Sequence, residues 1–281
     1  MHKPTLRWCM AAAAVLAAAT GVPTVARSDA APIQIEESAY PTSQGEQPMT
    51  VYRPASDGHG ARHPGLILVH GGAWVRGNRE LLDSEARAAA HRGFVVFNID
   101  YRLDAPRNPR QYHDVEAAIE FARSHAADYA LDPERLGGLG TSAGAHLLMQ
   151  AVTADKAPLA AVVGWSGPYD LTGRAGTSDA VLASVAALVF LGCLPATPSC
   201  AEQAAAASPA LHTASSNPPM MLFNSSHELI PLTQMTSFAD RLRADGVTVH
   251  TQIIPGRGHA VAYADTAIGP TLDFLSERLH S

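Results

Sequence analysis

The chain is short of charge, of lysine, of cysteine and of long apolar runs. Only 16% of its 281 residues are Asp, Glu, Lys or Arg, against about 25% in an average soluble protein. With 47% hydrophobic residues, such a chain can bury a large core, which excludes intrinsic disorder. Lysine occurs only as Lys3 and Lys156. Beside so much alanine, that scarcity reflects GC-rich coding and carries no functional weight. The formal net charge of −6 has the wrong sign for a general nucleic-acid binder, so no nucleic-acid partner is expected. Beyond the first thirty residues no stretch is long and apolar enough to span a bilayer, which leaves no stable membrane insertion for the rest of the chain.

Those first thirty residues have their own pattern. Lys3 and Arg7 make a positive start, Trp8 to Ala19 is apolar, and Gly21 and Pro23 break the run before small residues at Ala26 and Ala30. This is the shape of a secretory signal peptide. It predicts residues 1–30 as a leader, 31–281 as the catalytic domain, and a secreted or periplasmic location. Cys9 leaves with the leader. Cys193 and Cys200 remain, separated by a turn-rich Leu-Pro-Ala-Thr-Pro-Ser, and in an oxidising compartment so close a pair is expected to bond.

The rest alternates buried-strand runs with helix-like stretches. Strands are expected at Leu66–Val69, Phe94–Ile99, Arg135–Gly140, Leu159–Trp165, Met220–Asn224 and Val247–Ile254. Helices are expected at Glu80–Arg92, Val115–Tyr129, Ala143–Val152, Pro231–Ala244 and Thr266–Leu279, with a turn at Leu131-Asp132-Pro133. Continuous apolar strands separated by helices indicate a mostly parallel sheet covered on both faces. The segment from about Leu171 to Pro219, with a helix candidate at Ala180–Leu191, is too long for an ordinary loop and reads as a small cap insertion.

Three motifs carry chemistry. Gly140-Thr141-Ser142-Ala143-Gly144 follows a strand and opens a helix, the context in which a serine is lifted from the sheet on a tight turn. His70-Gly71-Gly72-Ala73-Trp74 ends the first buried strand, where small residues let backbone N–H groups approach a developing oxyanion. His259 follows the last apolar strand, on a loop from which an imidazole can reach the serine as general base. The acid belongs between serine and histidine in chain order. Glu228 occupies that slot, after a strand and before a helix, and Asp170 on the preceding loop is the alternative. No Cys/His/Asp cluster has metal-ligand spacing and no dinucleotide fingerprint occurs, so neither metal nor organic cofactor is implied.

Together these residues resemble the α/β-hydrolase superfamily, most closely its esterase and lipase branch with a His-Gly-Gly oxyanion motif, the carboxylesterases and acetylxylan or feruloyl esterases. The resemblance extends to Met49–Pro54, Asp100-Tyr101-Arg102-Leu103 and Leu131–Arg135. It implies Ser142 as nucleophile, His259 as base, an oxyanion hole from Gly71, Gly72, Ala73 and Ala143, and a small-molecule or polymer-linked ester as substrate. Relatives often carry glycine where this chain has Ala73. Their acid is an aspartate four residues before the helix-starting proline, a position filled here by His227. The alternatives are an amidase or peptidase of kynurenine formamidase type on the same scaffold, and a binding protein that kept the fold without catalysis.

Overall fold

The computed structural model describes residues 32–54, 61–105, 110–174, 177–193 and 197–280. The expected leader lies outside the described residues. The strands are β1 (Gln34–Thr42), β2 (Gly45–Arg53), β3 (His63–Val69), β4 (Val95–Ile99), β5 (Leu131–Thr141), β6 (Ala161–Trp165), β7 (Met220–Ser225) and β8 (Val249–Ile254). They form one sheet in the order β1-β2-β4-β3-β5-β6-β7-β8. β1 pairs antiparallel with β2 and β2 with β4, and every other pair is parallel.

The central strands are apolar throughout because both faces are covered. Along β3, Ile67 and Val69 face a core that also takes Val115, Leu147 and Phe238. These come from α2 (Tyr112–Ser124), α3 (Ala143–Thr153) and α6 (Leu232–Ala244). The alternate residues Leu66 and Leu68 face a second core with Ala86, Ala89 and Leu275, from α1 (Asp83–His91) and α7 (Ala264–Leu279). The period-two alternation of a strand thus feeds two helix layers from one run of Leu, Ile and Val.

β4 follows β3 on one side of it and β5 lies on the other, so the chain reverses its direction of travel at β3. In open α/β sheets ligands bind outside the carboxyl ends of strands at such a switch point. His70, Ser142, Glu228 and His259 all follow carboxyl ends, those of β3, β5, β7 and β8.

Several expectations are corrected. The edge hairpin β1–β2 was not expected, because β1 is largely exposed and prolines interrupt both strands. The stretch Glu80–Arg92 divides into a 3₁₀ turn, Arg79–Leu82, and α1. The helix expected to reach Tyr129 ends at Ser124, since the chain must turn into β5. Ala130 makes that turn at φ 53°, and Leu131 N–H donates to Ala126 O (2.9 Å). The turn at Leu131–Pro133 survives as an irregularity inside β5. Leu131 pairs with His63 and Leu136 with Gly65, while Asp132 accepts from Glu134 N–H (3.1 Å).

Within the segment 171–219 lie α4 (Thr177–Ala186), a π turn at Ala187–Leu191, and α5 (Pro198–Ala206). The wide turn brings both Phe190 and Leu191 into the core. Thr197 caps α5 by accepting from Cys200 N–H (3.3 Å). Cys193 and Cys200 are disulfide-bonded.

Candidate active site

Ser142 stands between β5 and α3 at φ 52°, ψ −120°, a conformation costly for a residue with a Cβ. The flanking glycines make it possible. A Cβ on Gly140 would lie 2.6 Å from Ala145 Cα, and one on Gly144 would lie 2.2 Å from Val69 O. Ser142 N–H is held by Trp165 O on β6 (2.8 Å), so the sheet fixes the strained turn and the hydroxyl projects from it.

His259 Nε2 lies 2.8 Å from Ser142 Oγ, and its Nδ1 bonds Glu228 Oε2. The carboxylate only accepts, so the ring proton sits on Nδ1 and Nε2 faces the serine hydroxyl as an acceptor. The Glu228 side chain is fully buried. Its other oxygen, Oε1, accepts from Ser225 N–H (2.6 Å) and from Ser166 Oγ (2.8 Å). Ser166 in turn accepts from Ala260 N–H (2.9 Å) and from the Tyr263 hydroxyl (2.7 Å). Burial pushes the Tyr263 phenol far above its usual range, which keeps it a donor.

Asp170 does not join this group. Its Oδ1 accepts from Thr172 N–H and Thr172 Oγ1 (2.8 and 2.5 Å). His227, at the position where relatives carry the acid, is exposed, with its ring against Ser226 Oγ (2.9 Å).

The loop after β3 packs against the serine. A Cβ on Gly71 would stand 3.0 Å from Ser142 Cβ. Gly72, Ala73 and Trp74 all have positive φ, 133°, 51° and 63°. The loop closes through Val75 N–H and Arg76 N–H, both donating to Gly72 O (3.3 and 3.2 Å). A Cβ on Gly72 would fall 1.8 Å from Arg76 O, so glycine is required there. Ala143 opens α3, and the N–H of a first helical residue has no acceptor within its helix. Ala73 and Ala143 line one cavity with Ser142. Behind the loop, Arg79 binds Asp100 through its backbone N–H and its guanidinium (2.6 Å each).

Trp74 is fixed by a residue the sequence did not single out. Its indole N–H donates to His146 Nδ1 (3.1 Å), and His146 Nε2 lies 2.8 Å from Ala207 O. A carbonyl only accepts, so His146 is the neutral Nε2–H tautomer, and burial lowers its pKa to about 4. Ser166 and Tyr263 were likewise not singled out. They lie 97 residues apart in sequence, and nothing local marks either as a partner of Glu228. Among the described residues no group of three or more His, Cys, Asp or Glu could hold a metal ion.

The BD-FAE family model matches residues 49–242. The chain belongs to the BD-FAE family. Curated proteins similar to this BD-FAE member include Esterase LipC of Mycobacterium tuberculosis, 33% identical over 232 residues, covering 74% of this chain and 56% of that protein. Esterase LipQ of the same organism is 28% identical over 250 residues, covering 83% and 58%. The chain thus spans little more than half the length of these relatives. Among solved structures, the thermostable carboxylesterase EstE1 from a metagenomic library superposes with a TM-score of 0.75 at 22% identity, over 88% of this chain and 90% of that one. Native esterase 2 of Thermogutta terrifontis gives 0.69 at 21%, over 86% and 91%. The fold of this BD-FAE member is that of the α/β-hydrolases.

Proposed function

We propose that this BD-FAE family member is a serine carboxylesterase, exported from the cytoplasm, that cleaves small-molecule or polymer-linked esters through an acyl-enzyme. The observation that carries the reading is the hydrogen-bonded line from Glu228 through His259 to Ser142. Ser142 Oγ attacks the ester carbonyl while its proton passes to His259 Nε2, and Glu228 stabilises the imidazolium. The oxygen that becomes negative accepts from the N–H groups of Ala143 and of the Gly71–Ala73 backbone. The intermediate collapses by breaking the carbon–oxygen bond, and His259 gives its proton to the departing alcohol. Water then attacks the acyl-serine with His259 again as base, and collapse of that intermediate breaks the bond between the acyl carbon and Ser142 Oγ, which takes back the proton from His259 as the acid leaves.

The names of the curated relatives, esterases LipC and LipQ and an acetyl esterase of Salmonella, support ester over amide substrates. Export rests on the pattern of residues 1–30 and agrees with a bonded cysteine pair. In the test, the ester and the anilide of one acyl group are offered to the wild type and to Ser142→Ala. Ester turnover that disappears in the variant is expected. Turnover undiminished in Ser142→Ala would overturn the mechanism, and a preference for the anilide would make the protein an amidase.

A further inference from the structure

The cavity at Ser142, about 150 Å³ in volume, has no charged residue among its described lining residues, and Ser142 is the sole hydroxyl among them. α4 contributes Val181, Leu182 and Val185, and the loop after β7 contributes Leu229 and Ile230. Trp74 adds no free polar group, since its N–H is taken by His146. Val181, Val185 and Leu229 are nevertheless 68%, 50% and 75% exposed. Large apolar residues exposed singly are ordinary. Here three of them rim one cavity that ends at the serine. Val181 and Val185, four apart on α4, share a helix face, so the apolar wall continues past the cavity mouth onto the cap.

We propose that this rim binds the hydrocarbon chain of the substrate's acid, and that the preferred substrates are esters of medium-length unbranched aliphatic acids. The proposal rests on the serine-esterase reading above. A hydroxylated or phenolic acyl group entering here would give up hydrogen bonds to water and find no partner on these walls, a net cost. A methylene chain gives up nothing polar and removes Val181, Val185 and Leu229 from water along with itself. Each methylene so buried is worth roughly a two- to fourfold gain in kcat/KM, until the chain outruns the rim.

The test is a series of nitrophenyl esters from acetate to decanoate, with a feruloyl ester beside them, on the full protein. The enzymes are the wild type, Val185→Asp, and the milder Val181→Ser and Leu229→Ser at the more exposed positions. Stoichiometric labelling by a small fluorophosphonate reports an intact Ser142 site in each. Expected is a rise from acetate through hexanoate, poor turnover of the feruloyl ester, and a hexanoate-to-acetate ratio at least about tenfold lower in Val185→Asp. The two serine variants should move that ratio the same way by a smaller factor. A labelled wild type that prefers acetate or ferulate, or labelled variants that keep the wild-type ratio, would overturn the rim and leave the esterase reading standing. A wild type that neither labels nor turns over any ester would overturn the esterase reading, and the rim with it.

Discussion

Glu228 lies one residue beyond the position at which related enzymes carry their acid, and it reaches His259 with one methylene more than aspartate has. Its buried carboxylate is held at Oε1 by Ser225 N–H and Ser166 Oγ, which turns Oε2 toward the imidazole. Glu228→Gln should therefore fold and still lose kcat steeply, because an amide can present an N–H to Nδ1 and favour the wrong tautomer. In the best-studied serine protease triad the equivalent change costs roughly 10⁴. Asp170→Asn, measured beside it, should stay within a few-fold of wild type, since the Asp170 carboxylate accepts from Thr172 and His259 bonds Glu228 instead. A loss confined to Asp170→Asn would move the acid to that loop. Ser166→Ala removes one donor to a charged oxygen, worth about 1.5 kcal/mol or more, so kcat should fall about tenfold with KM little changed. Of these residues, Ser142 was legible because its glycines are demanded by the turn. Glu228 was only half legible, because chain order admits two carboxylates. Ser166 and Tyr263 were not legible at all, since their role exists only once the residue after β6 meets the turn that precedes α7.

At the scale of elements, the strand ends supply position, and in the proposed mechanism the loop after β3 supplies N–H groups. That loop tolerates no side chain at Gly72, where a Cβ would collide with Arg76 O. Gly72→Ala should keep the fold, with strand β3 buried and paired on both sides, yet lower kcat by about 10²–10³, the usual effect of losing an oxyanion donor. The same loop is tied to α3 and to the segment after α5 through Trp74, His146 and Ala207. His146 is neutral in the folded state with a pKa near 4, against about 6.5 when unfolded. Between those values the unfolded chain binds the proton and the folded one does not. Stability is therefore fully present above about pH 6.5 and declines as pH falls toward 4, by on the order of 3 kcal/mol. Burial also lowers the His70 pKa, against smaller opposing effects from Gly71 O and Asp100, and this adds in the same direction. Urea midpoints at pH 7 and pH 4.5 should show the decline in wild type and a shallower one in His146→Gln, whose amide can donate and accept without titrating. Equal slopes in the two proteins would remove His146 from the explanation.

Across the whole molecule, the parallel part of the sheet could be read from the sequence because each strand is a continuous apolar run with a helix after it. The hairpin β1–β2 could not. Its outer strand is largely exposed and has no apolar alternation, and it is held by its pairing along β2, by the buried Tyr40 and by the ion pair of Glu37 with Arg79. The segment 171–219 was recognisable as an excursion by length alone. That α4 turns Val181 and Val185 to the Ser142 cavity depends on packing that no local pattern encodes. The bond between Cys193 and Cys200 closes a short loop within this segment. Its reduction should lower stability by about 2.5 kcal/mol on the chain-entropy estimate. Intact mass of the protein lacking residues 1–30 should show no alkylated thiol before reductant and two after it. The most direct measurement of the central claim is mass-spectrometric mapping of a fluorophosphonate adduct on the native protein. One adduct on the peptide containing Ser142, abolished in Ser142→Ala and formed far more slowly in Glu228→Gln, is the predicted result. An unlabelled Ser142 in folded protein, or a labelling rate indifferent to Glu228, would contradict it.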